Sequence, residues 1–421
     1  MQTQTRDITR IAAEAADERT APIGLPRNAS DQLRVEIFDR MAPLEAAWRA
    51  LEQDDLSSLH QSYDWCAAWA ENFERPLVIV RGSIGDETAF ILPLEIIRSR
   101  GIRRAEFIGG HHNNINTGLF SPRFLASGRL APLQANAIAA ALRGKADVVI
   151  LRNIPLEWRG RESPLASLTS IENQNHAFQM PFLGSFETSL KQVNAKRRRK
   201  KFKHQSRILD AKGGYEHVIA DGEEQRALLD LFFRQKAIRF KEAGLPNAFK
   251  DARIKAALYA MLDRREPGSR DATLQMHALR LKGEHQGHIP AIAALSRKGD
   301  HVICQFASID EALVAEASPG ELLFWLMIER LHREGVALFD FGIGNQTYKR
   351  SWCPMETVQH DLFLPISGLG HLAAMTQRGI TRTKTAIKSN RKLYSFIQRL
   401  RARQGGDTAT ADTGDGGGDG D

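Results

Sequence analysis

Cysteine is scarce in this chain, with three in 421 residues. Cys66, Cys304 and Cys353 lie too far apart for the paired spacing of a zinc site, and an odd number leaves no complete disulfide framework. Long apolar runs are missing too, and none approaches the ~20 residues that cross a bilayer. The first thirty residues carry acids and lack a continuous apolar core, so they do not read as a secretory signal. Together these absences point to a reduced, cytoplasmic setting. Reaction motifs are absent as well: there is no Gly-x-Ser-x-Gly elbow, no Walker loop, and no His-Arg-Asp loop to make a kinase signal of Asp340-Phe341-Gly342. His277, His285 and His288 gather around one hairpin, but no Cys or carboxylate pattern completes a site around them, so no metal is expected.

What is present is enough apolar material, 42% of residues, and enough length for two domains with their own cores. The charge is uneven. The net +8 rests on two acid-free segments, 191–209 and 362–406, with nine Lys and Arg each. Without those eighteen, 40 cations face 50 acids, a net of −10, so the basicity is local and a whole-surface nucleic-acid binder is unfavoured.

Read in order, residues 1–30 form a disordered lead and 31–180 a first α/β domain. Its elements are a strand at 33–39, helices near 43–53, 62–73 and 130–143, and strands at 77–81, 88–97, 104–109 and 146–154. Residues 156–180, with interspersed Pro, Ser and Asn, read as the joint. A second domain, 181–368, repeats the theme. It begins with one helix over 186–212, a strand at 215–220 and helices at 223–242 and 250–264. A meander of 272–281, 288–296 and 300–308 follows, broken at Lys282-Gly283-Glu284 and Arg297-Lys298-Gly299. Past it, 369–403 is a basic amphipathic helix and 404–421 a disordered Gly/Asp tail.

The most informative stretch is Ser318–Trp352. Ser318 before Pro319 and Gly320, with Glu321 three residues on, has the form of a capping box, and a buried helix is expected over Pro319–Arg333. Gly335 ends it. Val336–Phe341 reads as an interior strand, and Gly342 and Gly344 open a loop carrying Asn345, Tyr348, Lys349, Arg350 and Trp352.

The meander, SPGELLFWLMIERLHREG and FDFGIGNQTYKRSW resemble the Gcn-type N-acetyltransferase (GNAT) superfamily. More narrowly, with the basic NAKRRRKKFKHQSRILDAKGG, the chain is similar to the CelD/BcsL group of acyltransferases of cellulose and exopolysaccharide synthesis, distant relatives of FemAB aminoacyl transferases. The resemblance spans roughly 186–365 and implies an α/β (α+β) class: a duplicated GNAT-like acyltransferase fold with mixed central sheets flanked by helices. It also implies acetyl-CoA or another acyl-CoA as co-substrate, its pyrophosphate on the helix starting at Ser318 and Gly320, with Gln305 counted on the same donor side. The usual Gly-rich loop before that helix is replaced here by Ala315, Glu316 and Ala317.

Acyl transfer needs a gripped donor, a deprotonated acceptor, a stabilised oxyanion and a proton for the leaving thiolate. Asp340 is the candidate proton acceptor and Tyr348 the candidate donor to the thiolate. Lys349 and Trp352 are placed on the acceptor side. His111 and His112, in GGHHNNINTG, are candidate substrate contacts beside amides suited to sugar hydroxyls.

The function expected is an acyl-CoA-dependent N- or O-acyltransferase acting on a sugar or glycan precursor. Two alternatives stand beside it: a FemAB-like aminoacyl-tRNA-dependent transferase, with Lys196 to Lys203 on RNA phosphates, and a non-catalytic accessory protein of a membrane glycan synthase. The partners expected are a small-molecule or glycan acceptor and, through Phe202, Ile387, Phe396 and Leu400 among the cations, an anionic membrane surface or membrane-bound synthase, with the protein peripheral to the inner face.

Overall fold

A computed structural model describes residues 33–126, 130, 132–264 and 269–389. The expected lead, the expected tail and the expected helix beyond Ser389 lie outside the described residues. The first half runs β1 (Leu33–Phe38), α1 (Glu45–Leu51), α2 (Tyr63–Phe73), β2 (Ile79–Ile84), β3 (Glu87–Leu92), β4 (Leu94–Ser99), β5 (Ile102–Phe107), β6 (Leu119–Phe120), α3 (Pro122–Ala126), α4 (Pro132–Ala141) and β7 (Val148–Pro155). A short ribbon, β8 (Glu157–Trp158) and β9 (Arg161–Glu162), leads to β10 (Thr169–Glu172) and β11 (Ala177–Pro181). The second half opens with α5 (Phe186–Lys191), α6 (Ala195–Ala211), β12 (Tyr215–Ile219), α7 (Gly222–Glu242), α8 (Ala252–Asp263) and β13 (Ala272–Leu281). It continues with β14 (Ala291–Lys298), β15 (His301–Ile309), α9 (Pro319–Arg333), β16 (Leu338–Ile343), α10 (Thr347–Trp352), β17 (Met355–Thr357), β18 (Gln359–Pro365) and α11 (Gly368–Ser389).

Three sheets carry these elements, in the orders β1-β2-β3-β6, β10-β18-β7-β5-β4 and β12-β13-β14-β15-β16-β11-β17. Pro93 separates β3 from β4. It brings no N–H to a ladder, and its carbonyl accepts from Ile108, so the strand run breaks there into two sheets. Each half contains one parallel pair among antiparallel neighbours: β5 with β7 through Arg104 and Ala105, and β15 with β16 through His301, Val302 and Ile303. The architecture is thus mixed α/β, with the same strand pattern built twice.

The halves exchange strands. β11, which follows the first half, pairs with β16 and β17, and β18, from the far end of the second half, lies between β7 and β10. The stretch 156–180 is therefore not a plain joint, since β10 and β11 place it in two sheets at once. The single helix expected over 186–212 is two helices. Asn194 turns left-handed at φ 56° and its side chain accepts from the Arg197 amide at 3.2 Å, which starts α6 afresh.

Helix α9 keeps the expected bounds. Its Leu322, Leu323, Phe324, Trp325, Met327, Ile328 and Leu331 are buried between α6 and the third sheet. At roughly 1.5–3 kcal/mol for each such side chain, burial rather than capping holds it. The capping box does not form. Ser318 is left-handed, its side chain caps nothing, and it is its carbonyl that takes the Glu321 amide at 3.1 Å. The Glu321 carboxylate turns instead to Arg198 and Lys201 of α6.

Candidate functional site

β15 and β16 run parallel for three residue pairs and then part: β15 stays with β14 up to Ile309, while β16 turns to β11. A gap opens in the sheet beyond Ile303 and Asp340, and polar side chains from both halves gather around it. Period-two alternation assigns the residues of β15 and β16 to opposite faces. Cys304, Phe339 and Phe341 belong to the core under α9, while His301, Gln305 and Asp340 face the first half.

Asp340 is 0% exposed. One oxygen accepts from the Gly342 amide at 2.6 Å and the other from Gln179 Nε2 at 2.7 Å. The second oxygen also lies 3.5 Å from His301 Nε2, a buried nitrogen with no hydrogen-bond partner. Gln179 is fixed in turn by Thr357. Both carboxylate oxygens are thus engaged, one with the backbone near the end of β16 and the other with β11.

Lys349, on α10, is 6% exposed. Its ammonium donates to the carbonyls of Ile343 at 2.5 Å and Gly342 at 3.5 Å, at the lip of the gap. Burial lowers its pKa to about 8, although Cys304 and Asp340 pull the other way. Tyr348 is half-buried, stacked on Phe324 at 5.4 Å and edge-on to Phe341, and burial holds its phenol well above the ordinary value. It therefore carries its proton over the whole neutral range.

The first half closes the other side. Asn114 bridges the parted strands, giving Nδ2 to Gln305 Oε1 at 2.8 Å and accepting from the Ile343 amide at 3.2 Å. A Cβ at Gly342 would come within 2.5 Å of Asn114 Oδ1, so this contact requires glycine there. His60, fully buried, faces Gln305 and the Asn114 amide with Nε2, each at 3.3 Å. Its tautomer follows from its partners. Ser58 Oγ gives its one hydrogen to the Ile115 carbonyl, so His60 Nδ1 must donate to Ser58 Oγ, and the Nε2 lone pair accepts from the Asn114 amide at the gap. Burial lowers the His60 pKa to about 4, so the ring is neutral near pH 7.

The structure thus gathers Asp340, Tyr348, Lys349 and Gln305 of the residues expected from the sequence. Others stand elsewhere. Trp352, expected on the acceptor side, is 1% exposed, in the core beneath the Arg198 guanidinium at 3.8 Å. Arg198 also binds Ser351 Oγ at 2.9 Å, so it ties α6 to α10. His112 stacks on Trp69 at 4.6 Å and His111 packs on His112, while it is Asn114 of the same loop that reaches the gap. Ser318 and Gly320 start α9, and a Cβ at Gly320 would meet Ile309 at 2.7 Å, which gives that glycine a packing reason. His60, His301 and Gln179 were not singled out in the sequence. A lone histidine in SSLHQSYDW carries no pattern that separates it from a core residue.

Residues 196–350 match the family model described as an acetyltransferase (GNAT) domain. Over that stretch the chain is similar to GNAT acetyltransferase domains. The matched GNAT segment holds β15, α9, β16 and most of α10, the elements around the gap. The fold is similar to the crystal structure of FemX, at 12% identity over 77% of this chain and 94% of that one, TM-score 0.52. Weaker likenesses include the C-terminal domain of a candidate lysylphosphatidylglycerol synthetase from Agrobacterium fabrum, at 12% identity over 80% of this chain and 95% of that one, TM-score 0.49. A tandem GNAT protein from the clavulanic acid biosynthesis pathway gives 11%, 80%, 99% and 0.39 in the same order. No curated protein matches the chain.

Proposed function

We propose that this acyltransferase takes its acyl group from coenzyme A and passes it to an amine or hydroxyl of a sugar or glycan precursor, in the manner of the CelD/BcsL group of exopolysaccharide and cellulose synthesis. The observation that supports this reading is the parting of β15 and β16 with Lys349 and Tyr348 at its edge. Beyond Ile303 the edge of β15 facing the gap has no strand beside it, and an unpaired edge takes up an extended amide-bearing chain such as the donor's arm. The thioester then lies beside Lys349.

In this reading the acceptor enters from the first-half side, where Asn114, Gln305 and Gln359 offer neutral amides to hydroxyls. The His60 Nε2 lone pair, released from the Asn114 amide as the acceptor enters, takes the acceptor's proton as its nitrogen or oxygen attacks the thioester carbon. The Lys349 ammonium stabilises the oxyanion, and the Tyr348 phenol gives its proton to the sulfur as the carbon–sulfur bond breaks. Asp340, both oxygens occupied, is a positioning residue that fixes the Gly342 backbone.

A second reading, transfer from aminoacyl-tRNA, draws on one feature. Lys196, Lys200, Lys203 and Arg207 form an exposed stripe along α6, a surface suited to phosphates. Calorimetry separates the two. Binding of acetyl-CoA or a longer acyl-CoA, with no salt-sensitive binding of tRNA, supports the first reading; tRNA binding lost in Lys200→Glu/Lys203→Glu, with no acyl-CoA binding, replaces it by the second.

A further inference from the structure

Helix α11 packs on the first half through one narrow face. Gly370 lies against the Asp147 carbonyl, where a Cβ would come within 1.7 Å, and Ala374 and Thr381 are buried along the same side. At 100° per residue the opposite side carries Leu369, Leu372, Met375 and Ile380. These are 59%, 62%, 70% and 41% exposed, four of the chain's eight exposed large apolar residues among those described. Arg382 lies beside Met375 at the edge of this seam, Arg378 stands nearer the packed side, and the sequence has no acid from 362 to 406.

An exposed apolar seam needs an occupant. A second copy meeting face to face would bring the two sets of cations together with no acid in either segment to offset them. A surface that accepts apolar side chains and carries negative charge fits both features. We propose that the outer face of α11 docks on an anionic lipid surface, with Leu369, Leu372, Met375 and Ile380 in the interface and the cations at the headgroups. No helix among the described residues is long and apolar enough to cross a membrane, so this contact is peripheral.

The same role does not extend to α6. Phe202, expected to give that helix a lipid-facing side, is stacked on Trp325 at 4.7 Å and 13°, and Ile208 packs into the same core. What α6 shows to solvent is charge alone.

The test is co-sedimentation of the full chain with vesicles of phosphatidylcholine alone and mixed with phosphatidylglycerol. The protein should pellet with the mixed vesicles only, and Leu372→Glu/Met375→Glu should lower that partitioning by about tenfold or more. Both substituted positions are exposed, so acyl-donor binding should persist and report an intact fold. Arg382→Glu should weaken the association less, and added salt should weaken it further. The proposal falls if the double variant pellets as the parent does, or if both vesicle types bind equally. It also falls if the parent is a dimer that the double variant dissolves while neither binds vesicles.

Discussion

The two halves each contain a pair of parallel strands that part, and the two gaps are closed by opposite chemistry. Where β5 leaves β7, Glu106 of one strand meets Arg152 of the other at 3.3 Å, and Arg152 reaches Asp361 on the exchanged strand β18 at 3.5 Å. Both carboxylates are buried; burial raises the pKa of Asp361, and Arg152 pulls it back. Where β15 leaves β16, the bridge is Asn114 between Gln305 and Ile343, made of neutral hydrogen bonds from the other half. Breaking a buried ion pair costs several kcal/mol; a neutral hydrogen bond contributes about 0.5–1.5. One gap is locked and the other can yield. Topology alone does not say which half works; the proposed function assigns the work to the gap closed by neutral groups.

The sharpest way to break this contrast is to remove one cation from each gap. Lys349→Met should lower turnover by about 10²–10³-fold while the protein stays folded, the loss expected for one oxyanion-stabilising group. Arg152→Met should leave the turnover of folded protein within a few-fold and instead cost about 3–5 kcal/mol of stability in urea unfolding, because it takes the cation from buried Asp361 and leaves Glu106 with Arg104 alone. If both variants lose turnover alike, the first gap is not merely a lock.

The pH dependence sharpens the same point. Burial lowers the Lys349 pKa in the folded protein to about 8, below the ordinary lysine value of 10.5, so the unfolded chain binds the proton more tightly and stability should rise with pH through that window. Turnover needs the charged form and should fall over the same range. A stability curve of Lys349→Met that still rises between pH 8 and 10.5 as the parent's does would detach the effect from this residue. The smallest expected change comes from Asn114→Ala. It should cost about 1–2 kcal/mol and raise acyl-donor affinity about fivefold, since the bridge no longer has to yield. Weaker donor binding would make Asn114 a contact instead.

The bounds of α9 and the β13–β15 meander were legible because their signals are local: Pro319 and Gly335 as punctuation, Lys282-Gly283 and Lys298-Gly299 at the turns. Asp340, Tyr348 and Lys349 stood out because polar groups after a buried strand are few. Their division of labour was not legible. Nothing in FDFGIGNQTYKRSW says that Asp340 spends both oxygens on Gly342 and Gln179, or that Lys349 reaches back to the Gly342 and Ile343 carbonyls. Trp352 read as an acceptor-side residue because its neighbours are polar, yet Arg198, 154 residues earlier, covers it. Phe202 misled for the same reason. His60 and Asn114 matter only through partners in the other half. The exchange of β11 and β18 is a matter of long-range pairing, which hydrophobic period does not encode.

That exchange has a consequence for synthesis. β18 supplies an inner strand of a sheet whose β7 was made more than two hundred residues earlier, as the pairing of Leu362 with Leu151 shows. On the ribosome the first half waits with β7 unpaired on that side until Pro365 has emerged, exposing an apolar edge throughout. A chain cut near residue 180 should then yield no soluble first half, and nascent protein should be most vulnerable to aggregation in the last stretch of translation.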